Sequence, residues 1–217
     1  MKNERTELVF ILDRSGSMSG LESDTIGGYN SLLEKQKKEE GEATVTTVLF
    51  DDKYELLHDR IDIRGVSPIT DRQYYVRGST ALLDAIGQTI LKIANVQRST
   101  APELRAGKVL FVITTDGYEN ASREFTYDKV KAMVEEERDK YGWEFLFLGA
   151  NIDAIAAARQ FGIGADRAVS CHADSQGTQL NYQVLSETAS CFRAGAPMQA
   201  GWKRKIEQDF KSRKSRR

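Results

Sequence analysis

Leu8-Val9-Phe10-Ile11-Leu12-Asp13-Arg14-Ser15-Gly16-Ser17-Met18-Ser19 runs from an unbroken apolar stretch into a carboxylate and a set of alternating hydroxyls. Such a short run, rich in Val, Ile and Phe, reads as a strand buried on both faces, as in a parallel sheet. Asp13 then sits at its carboxyl end. Ser15 and Ser17 follow at a spacing of two in a glycine-containing loop. A loop that curls over the strand end would bring both hydroxyls and the Asp13 carboxylate into one small space, and a hard divalent cation takes oxygen ligands of this kind. The same residues also read as an ordinary strand-to-helix turn, with Asp13 or a serine capping the next helix. The rest of the chain has to separate the two.

The chain has 217 residues, which bounds it to one domain or at most two, and one is expected. Hydrophobic residues at 40% and charged residues at 29%, with three prolines, describe a globular chain without long extended linkers. The charged start, Met1 to Glu7, and the short apolar run behind it match neither a membrane span nor a secretory signal, so a cytoplasmic setting is expected. Cys171 and Cys191 then read as free thiols. The formal net charge of -1 conceals an asymmetry: from Lys203 onward eight basic residues face two acidic ones, leaving a basic tail of +6 and an acidic body of -7.

After the serine loop, Leu21, Thr25, Tyr29, Leu32, Leu33 and Gln36 recur at helical spacing, and Gly41 marks the stop. Ala43 to Phe50 reads as a second strand, Asp51-Asp52-Lys53 as a tight turn, and Tyr54 to His58 as an antiparallel edge strand. Asp59 to Arg77 reads as an irregular connection. Arg77-Gly78-Ser79-Thr80 opens a second helix with an inner face of Leu82, Ala85, Ile86, Ile90 and Ile93. Lys108 to Thr114 repeats the design of the first strand, ending in Thr114-Thr115-Asp116-Gly117. Beyond it come a helix from Thr126 to Lys140, a strand Glu144 to Leu148, a helix Asp153 to Phe161, a brief strand at Ala168-Val169 and a helix from Gln179 to Arg193. This alternation predicts an α/β fold: a Rossmann-like, three-layer open sheet, mostly parallel with one antiparallel edge strand and helices on both faces. Ligands of such sheets bind outside the carboxyl strand ends, and chain direction alone places Asp13, Thr80 and Asp116 on that rim.

Asp13-x-Ser15-x-Ser17, Thr80 within Gly78-Ser79-Thr80, and Asp116 within Thr115-Asp116-Gly117 reproduce, in order and context, a known pattern. From about Thr6 to Arg193 the chain resembles von Willebrand factor type A (VWA) domains carrying a metal-ion-dependent adhesion site (MIDAS), of the stand-alone intracellular type. The resemblance implies a VWA domain over residues 1–195 and a basic C-terminal extension over 196–217. It implies that Ser15, Ser17 and Thr80 are hydroxyl ligands to Mg²⁺ or Mn²⁺, with Asp13 and Asp116 acting mostly through bound waters. It also implies a non-enzymatic protein-binding module whose ion receives an Asp or Glu of a partner protein, and a last domain helix, Gln179 to Arg193, able to slide as the metal loops rearrange. Bacterial relatives often work beside AAA-type ATPases, which makes such a system a possible partner.

Other residues carry competing readings. Arg14, Arg77 and Tyr118 flank the motif, and an arginine near the ion would favour acidic partners. Asp51 and Asp52 read as turn residues rather than a second metal site, and His58 and His172 as surface or boundary histidines. Cys171-His172 makes a poor catalytic pair, because adjacent side chains in an extended segment point apart. A Mg²⁺-dependent hydrolase on the same rim is the alternative function, although few bases are available to it. In the tail, Trp202, Ile206 and Phe210 form one helical stripe, read as a helix packing back on the domain with a disordered charged end. Nucleic-acid contact through the tail is the sharper alternative.

Overall fold

Every residue of β1 (Thr6–Asp13) is buried, and its central run Leu8 to Leu12 is apolar on both faces. In the computed structural model, which describes residues 4–214, β1 lies inside a six-stranded sheet of order β3-β2-β1-β4-β5-β6. The other strands are β2 (Ala43–Phe50), β3 (Tyr54–Asp62), β4 (Lys108–Thr115), β5 (Glu144–Ala150) and β6 (Ala168–Cys171). All pair in parallel except β3, which runs antiparallel to β2 at the edge. The helices are α1 (Glu22–Gln36), α2 (Leu82–Ser99), α3 (Tyr127–Tyr141), α4 (Ala154–Gln160), α5 (Ser175–Arg193) and α6 (Arg204–Lys214). The expected fold class is the observed one.

Alternation along the strands builds two cores. Val9 and Ile11 pack with Ile86 and Ile90 of α2, Val130 of α3 and Ala158 of α4. Leu8, Phe10 and Leu12 pack on the opposite face with Tyr29 and Leu32 of α1, Val184 and Leu185 of α5, and Ile206 of α6. Each such fully buried apolar side chain contributes roughly 1.5–3 kcal/mol, so the central strand is the most firmly held part of the rim above it. The chain leaves β1 toward β2 and β3, then returns to the other side for β4. The switch point is therefore the gap between the carboxyl ends of β1 and β4.

Several expectations are corrected. The edge strand continues to Asp62 instead of stopping at His58. Arg60, at φ 49°, breaks the register there, its amide donating to Thr46 Oγ1 at 3.3 Å and its Nε to the buried Glu7 carboxylate at 2.8 Å. An edge strand tolerates this polar run because one side of it faces solvent. Helix α5 begins one turn early, at Ser175, because Asp174 caps it by accepting the Gly177 amide at 2.8 Å. That first turn carries no apolar stripe to announce it. His58 is core rather than surface: only 5% exposed, its Nδ1 shares a hydrogen bond with Thr47 Oγ1 at 2.9 Å, and burial lowers its pKa.

Helix α6 packs on the α5 side of the sheet through Ile206, with Trp202 against the same core. The Phe210 ring meets the His172 ring at 4.8 Å. Lys203 is buried and donates to the carbonyls of Ala165 and Ala168 at 2.6 and 2.7 Å. Lys205 pairs with Glu187, and Arg213 with Asp174 and Asp209. Lys205 and Arg213 of this helix thus pair with carboxylates elsewhere in the domain, Glu187 and Asp174. Of the charged end expected to be disordered, Lys211 to Arg217, the first four residues instead continue α6 to Lys214, and Ser215 to Arg217 lie outside the described residues.

Candidate metal centre

Register brings the first two carboxyl ends together. Leu12 pairs with Thr114 across β1 and β4, which sets Asp13 beside Thr115. The Thr115 hydroxyl donates to Asp13 Oδ2 at 2.6 Å, and the Ser15 amide donates to Asp13 Oδ1 at 2.7 Å. Both carboxylate oxygens are committed, so Asp13 shapes the serine loop. Burial pushes its carboxyl up to about 6, against the pull of the Thr115 and Ser15 hydrogen bonds.

The five predicted residues converge. Ser15 Oγ lies 3.1 Å from Ser17 Oγ, and Ser17 Oγ donates to Asp116 Oδ1 at 2.5 Å. Gly117 shows where Thr80 fits: a Cβ there would stand 3.4 Å from both Ser17 Oγ and Thr80 Oγ1. The two hydroxyls therefore border one space beside a residue that has no side chain to fill it. Asp116 is 4% exposed, and its Oδ2 is buried without a hydrogen-bond partner. Burial raises the Asp116 carboxyl and the Ser17 hydrogen bond opposes the rise. Three hydroxyls and two carboxylates, one of them with an unpartnered buried oxygen, fit a hard cation. Among the described residues no group of three or more His, Cys, Asp or Glu is placed to hold a metal.

The three loops are stitched by backbone. The Gly16 amide donates to the Gly78 carbonyl at 3.2 Å and the Arg77 amide to the Arg14 carbonyl at 2.9 Å. Gly78 has φ +65°, a left-handed conformation in which a side chain would be strained, so the turn favours glycine. Tyr74, fully buried, donates its hydroxyl to the Asp13 carbonyl at 2.5 Å. Thr80 and Asn120 exchange two bonds, Thr80 N to Asn120 Oδ1 at 2.9 Å and Asn120 N to Thr80 O at 3.0 Å. Asp84 accepts three successive amides, Arg123 to Phe125, at 2.8–2.9 Å.

Two sequence readings change here. Arg14 does not face the rim: it is fully buried, with Nε 3.2 Å from Asp51 Oδ2 and Nη2 2.6 Å from Glu55 Oε2. Asp51 is not a mere turn residue, because it is fully buried between Arg14 and Arg77, whose Nε approaches Oδ2 to 2.5 Å. Burial raises the Asp51 carboxyl, but hydrogen bonds from Arg77 and the Lys53 amide and the charges of both arginines outweigh it and hold it below its ordinary value. Sequence reasoning also missed Tyr74, Asn120 and Asp84 as loop supports. Only Asp84, in the first turn of a helix, carried a local signal. Cys171 is buried and its thiol pushed up to about 12, while His172 turns to Phe210, so the adjacent pair does part.

The fold is that of von Willebrand factor type A domains. The chain is similar to proximal thread matrix protein 1 from the mussel byssus, solved with a zinc-occupied MIDAS motif, at 14% identity over 86% of this chain and 46% of that one, TM-score 0.58. It is similar to a von Willebrand factor type A protein from Catenulispora acidiphila at 12% identity over 86% and 42% of the two chains, TM-score 0.57. The pilus adhesin SpaC from Lactobacillus rhamnosus GG, in its open conformation, gives 11% identity over 85% and 30%, TM-score 0.64. The chain spans less than half the length of each of these three proteins. No family model and no curated protein matches the sequence.

Proposed function

We propose that this domain binds a protein partner through a divalent cation held by Ser15, Ser17 and Thr80, with Asp13 and Asp116 orienting those hydroxyls and balancing charge. The observation that carries the reading is the chain of contacts that joins the five residues, from Asp13 to the Ser15 amide, Ser15 Oγ to Ser17 Oγ and Ser17 to Asp116, with Ser17 and Thr80 bordering the space beside Gly117 and Asp116 Oδ2 buried and unpartnered. The zinc-occupied motif of the mussel protein supports a divalent ion on this fold, and the hard oxygen set favours Mg²⁺ or Mn²⁺ here. When bound, such an ion supplies a Lewis-acidic position that an Asp or Glu carboxylate can occupy. Neutral hydroxyls leave that position electron-poor, which favours an incoming anion.

A cytosolic setting agrees with the free thiols Cys171 and Cys191. Among the described residues no helix is long and apolar enough to cross a membrane. The test is capture from cell extract by the immobilised domain. A protein retained in Mg²⁺ but lost both in EDTA and with Asp116→Ala supports the reading, and retention that ignores both overturns it.

A pH dependence follows. The Asp13 carboxyl is raised in the fold from 3.8 to about 6. Its protonated form therefore stabilises the metal-free fold, a contribution present below about 4 and lost as pH rises through about 6. Cation binding needs the carboxylate and runs the other way. The rise in melting temperature produced by Mg²⁺ is expected in full at pH 7.5 and to fade below about pH 6. Paired melts with Mg²⁺ and EDTA from pH 5 to 8 measure it; a rise that stays constant across the range contradicts the assignment.

A further inference from the structure

Three of the large apolar side chains exposed among the described residues stand at the metal rim. These are Tyr75 at 43%, Tyr118 at 58% and Ile155 at 38% exposure. They come from three separate segments: the connection lying on the serine loop, the loop two residues past Asp116, and the first turn of α4.

The two tyrosines are exposed yet held. Tyr75 lies under two guanidinium groups, Arg14 at 5.4 Å and Arg77 at 5.3 Å from its ring centroid, and its hydroxyl accepts from Arg77 Nη1 at 3.2 Å. Arg77 is itself anchored on the buried Asp51. Tyr118 accepts the Asp153 amide on its hydroxyl at 3.2 Å, which ties the ring to the start of α4, two residues from Ile155. A ring restrained by such contacts before any partner arrives loses little entropy on binding, and rigid aromatic side chains with a polar tip dominate protein interfaces.

We infer that the partner segment recognised at this rim carries a large apolar or aromatic side chain next to its metal-seeking Asp or Glu, seated on Tyr118 and Ile155. The inference rests on the carboxylate-binding reading above and adds to it the class of partner: a protein segment with apolar flanks to its acid, rather than a small carboxylate or a uniformly acidic stretch.

Two synthetic peptides serve as probes, one with Asp between two Phe residues and one with Asp between two Ser residues, each titrated against the full chain in Mn²⁺ and in EDTA. The Phe-flanked peptide is expected to bind at least about tenfold more tightly in Mn²⁺, the difference to be lost in Tyr118→Ala and only partly kept in Tyr118→Phe, which preserves the ring but removes the hydroxyl that accepts the Asp153 amide. Melting temperatures of the variants check that the exposed positions leave the fold intact. Equal Mn²⁺-dependent affinity for both peptides overturns the inference and leaves the metal reading standing. Binding of neither peptide, with a melting temperature that still rises in Mn²⁺, does the same; if Mn²⁺ has no effect on melting, both readings fall together.

Discussion

Asp51→Ala is expected to destabilise the fold by about 3 kcal/mol, the lower end of what removing one partner of a buried ion pair costs. The reason lies in what stays behind. Arg14 remains fully buried, with only Glu55 and the Gln73 carbonyl left to accept from it. Arg77 and the Lys53 amide lose their acceptor at the same time. The surviving Glu55 bond keeps the figure from the upper end of the range. Asp51→Asn, which retains acceptors but removes the charge, should fall between the variant and the parent. Urea denaturation measures all three, and a loss below about 1 kcal/mol for the alanine variant would mean that the Arg14 guanidinium reaches water. The consequence extends to function, since the Arg14 and Arg77 backbones carry one of the hydrogen bonds that join the serine loop to the Thr80 loop.

In Mn²⁺ at about a hundred times its dissociation constant, the intact domain should gain about 2.7 kcal/mol, and Asp116→Ala should lose most of it. Asp116 holds Ser17 through Oδ1 and contributes one of the two carboxylates at the rim. Without it the hydroxyl loses its orienting acceptor, and outer groups of this kind are worth 10–100-fold in metal affinity. A hundredfold weaker site leaves about 0.4 kcal/mol under the same conditions. Asp13→Ala should behave alike, because Asp13 holds the Ser15 amide. Asp139→Ala, on an exposed carboxylate far along α3, is the control. Thermal melts with Mn²⁺ and EDTA decide the matter: a full shift in Asp116→Ala would show that any ion bound lies elsewhere.

The parts of the site that could be read in advance share one property. Asp13, Ser15, Ser17, Thr80 and Asp116 are polar residues at the ends of strongly patterned elements, so the strand run or the helix stripe beside each one locates it. Arg14 and Asp51 stand just as close in sequence to such ends, and Asp51 does form the turn, accepting the Lys53 amide, yet nothing local announces that the two are buried against each other. Whether a charged residue faces solvent or a buried counter-charge depends on what the second strand and the connection beyond it bring alongside, and no local pattern encodes that. His58 was misplaced for the same reason, its environment being set by Thr47 across the hairpin.

Periodicity and element order in the chain were enough for the two-sided burial of β1, the alternation of strands and helices, and the single rim that carries three distant segments, because hydrophobic pattern is a local property repeated along each element. Packing had to supply the rest. The distance between Ser17 and Asp116, the hydroxyl-lined space beside Gly117, the burial of the Arg14–Asp51 pair and the restrained tyrosines at the rim arise where residues tens of positions apart meet, and they exist only once parallel register sets β1 against β4.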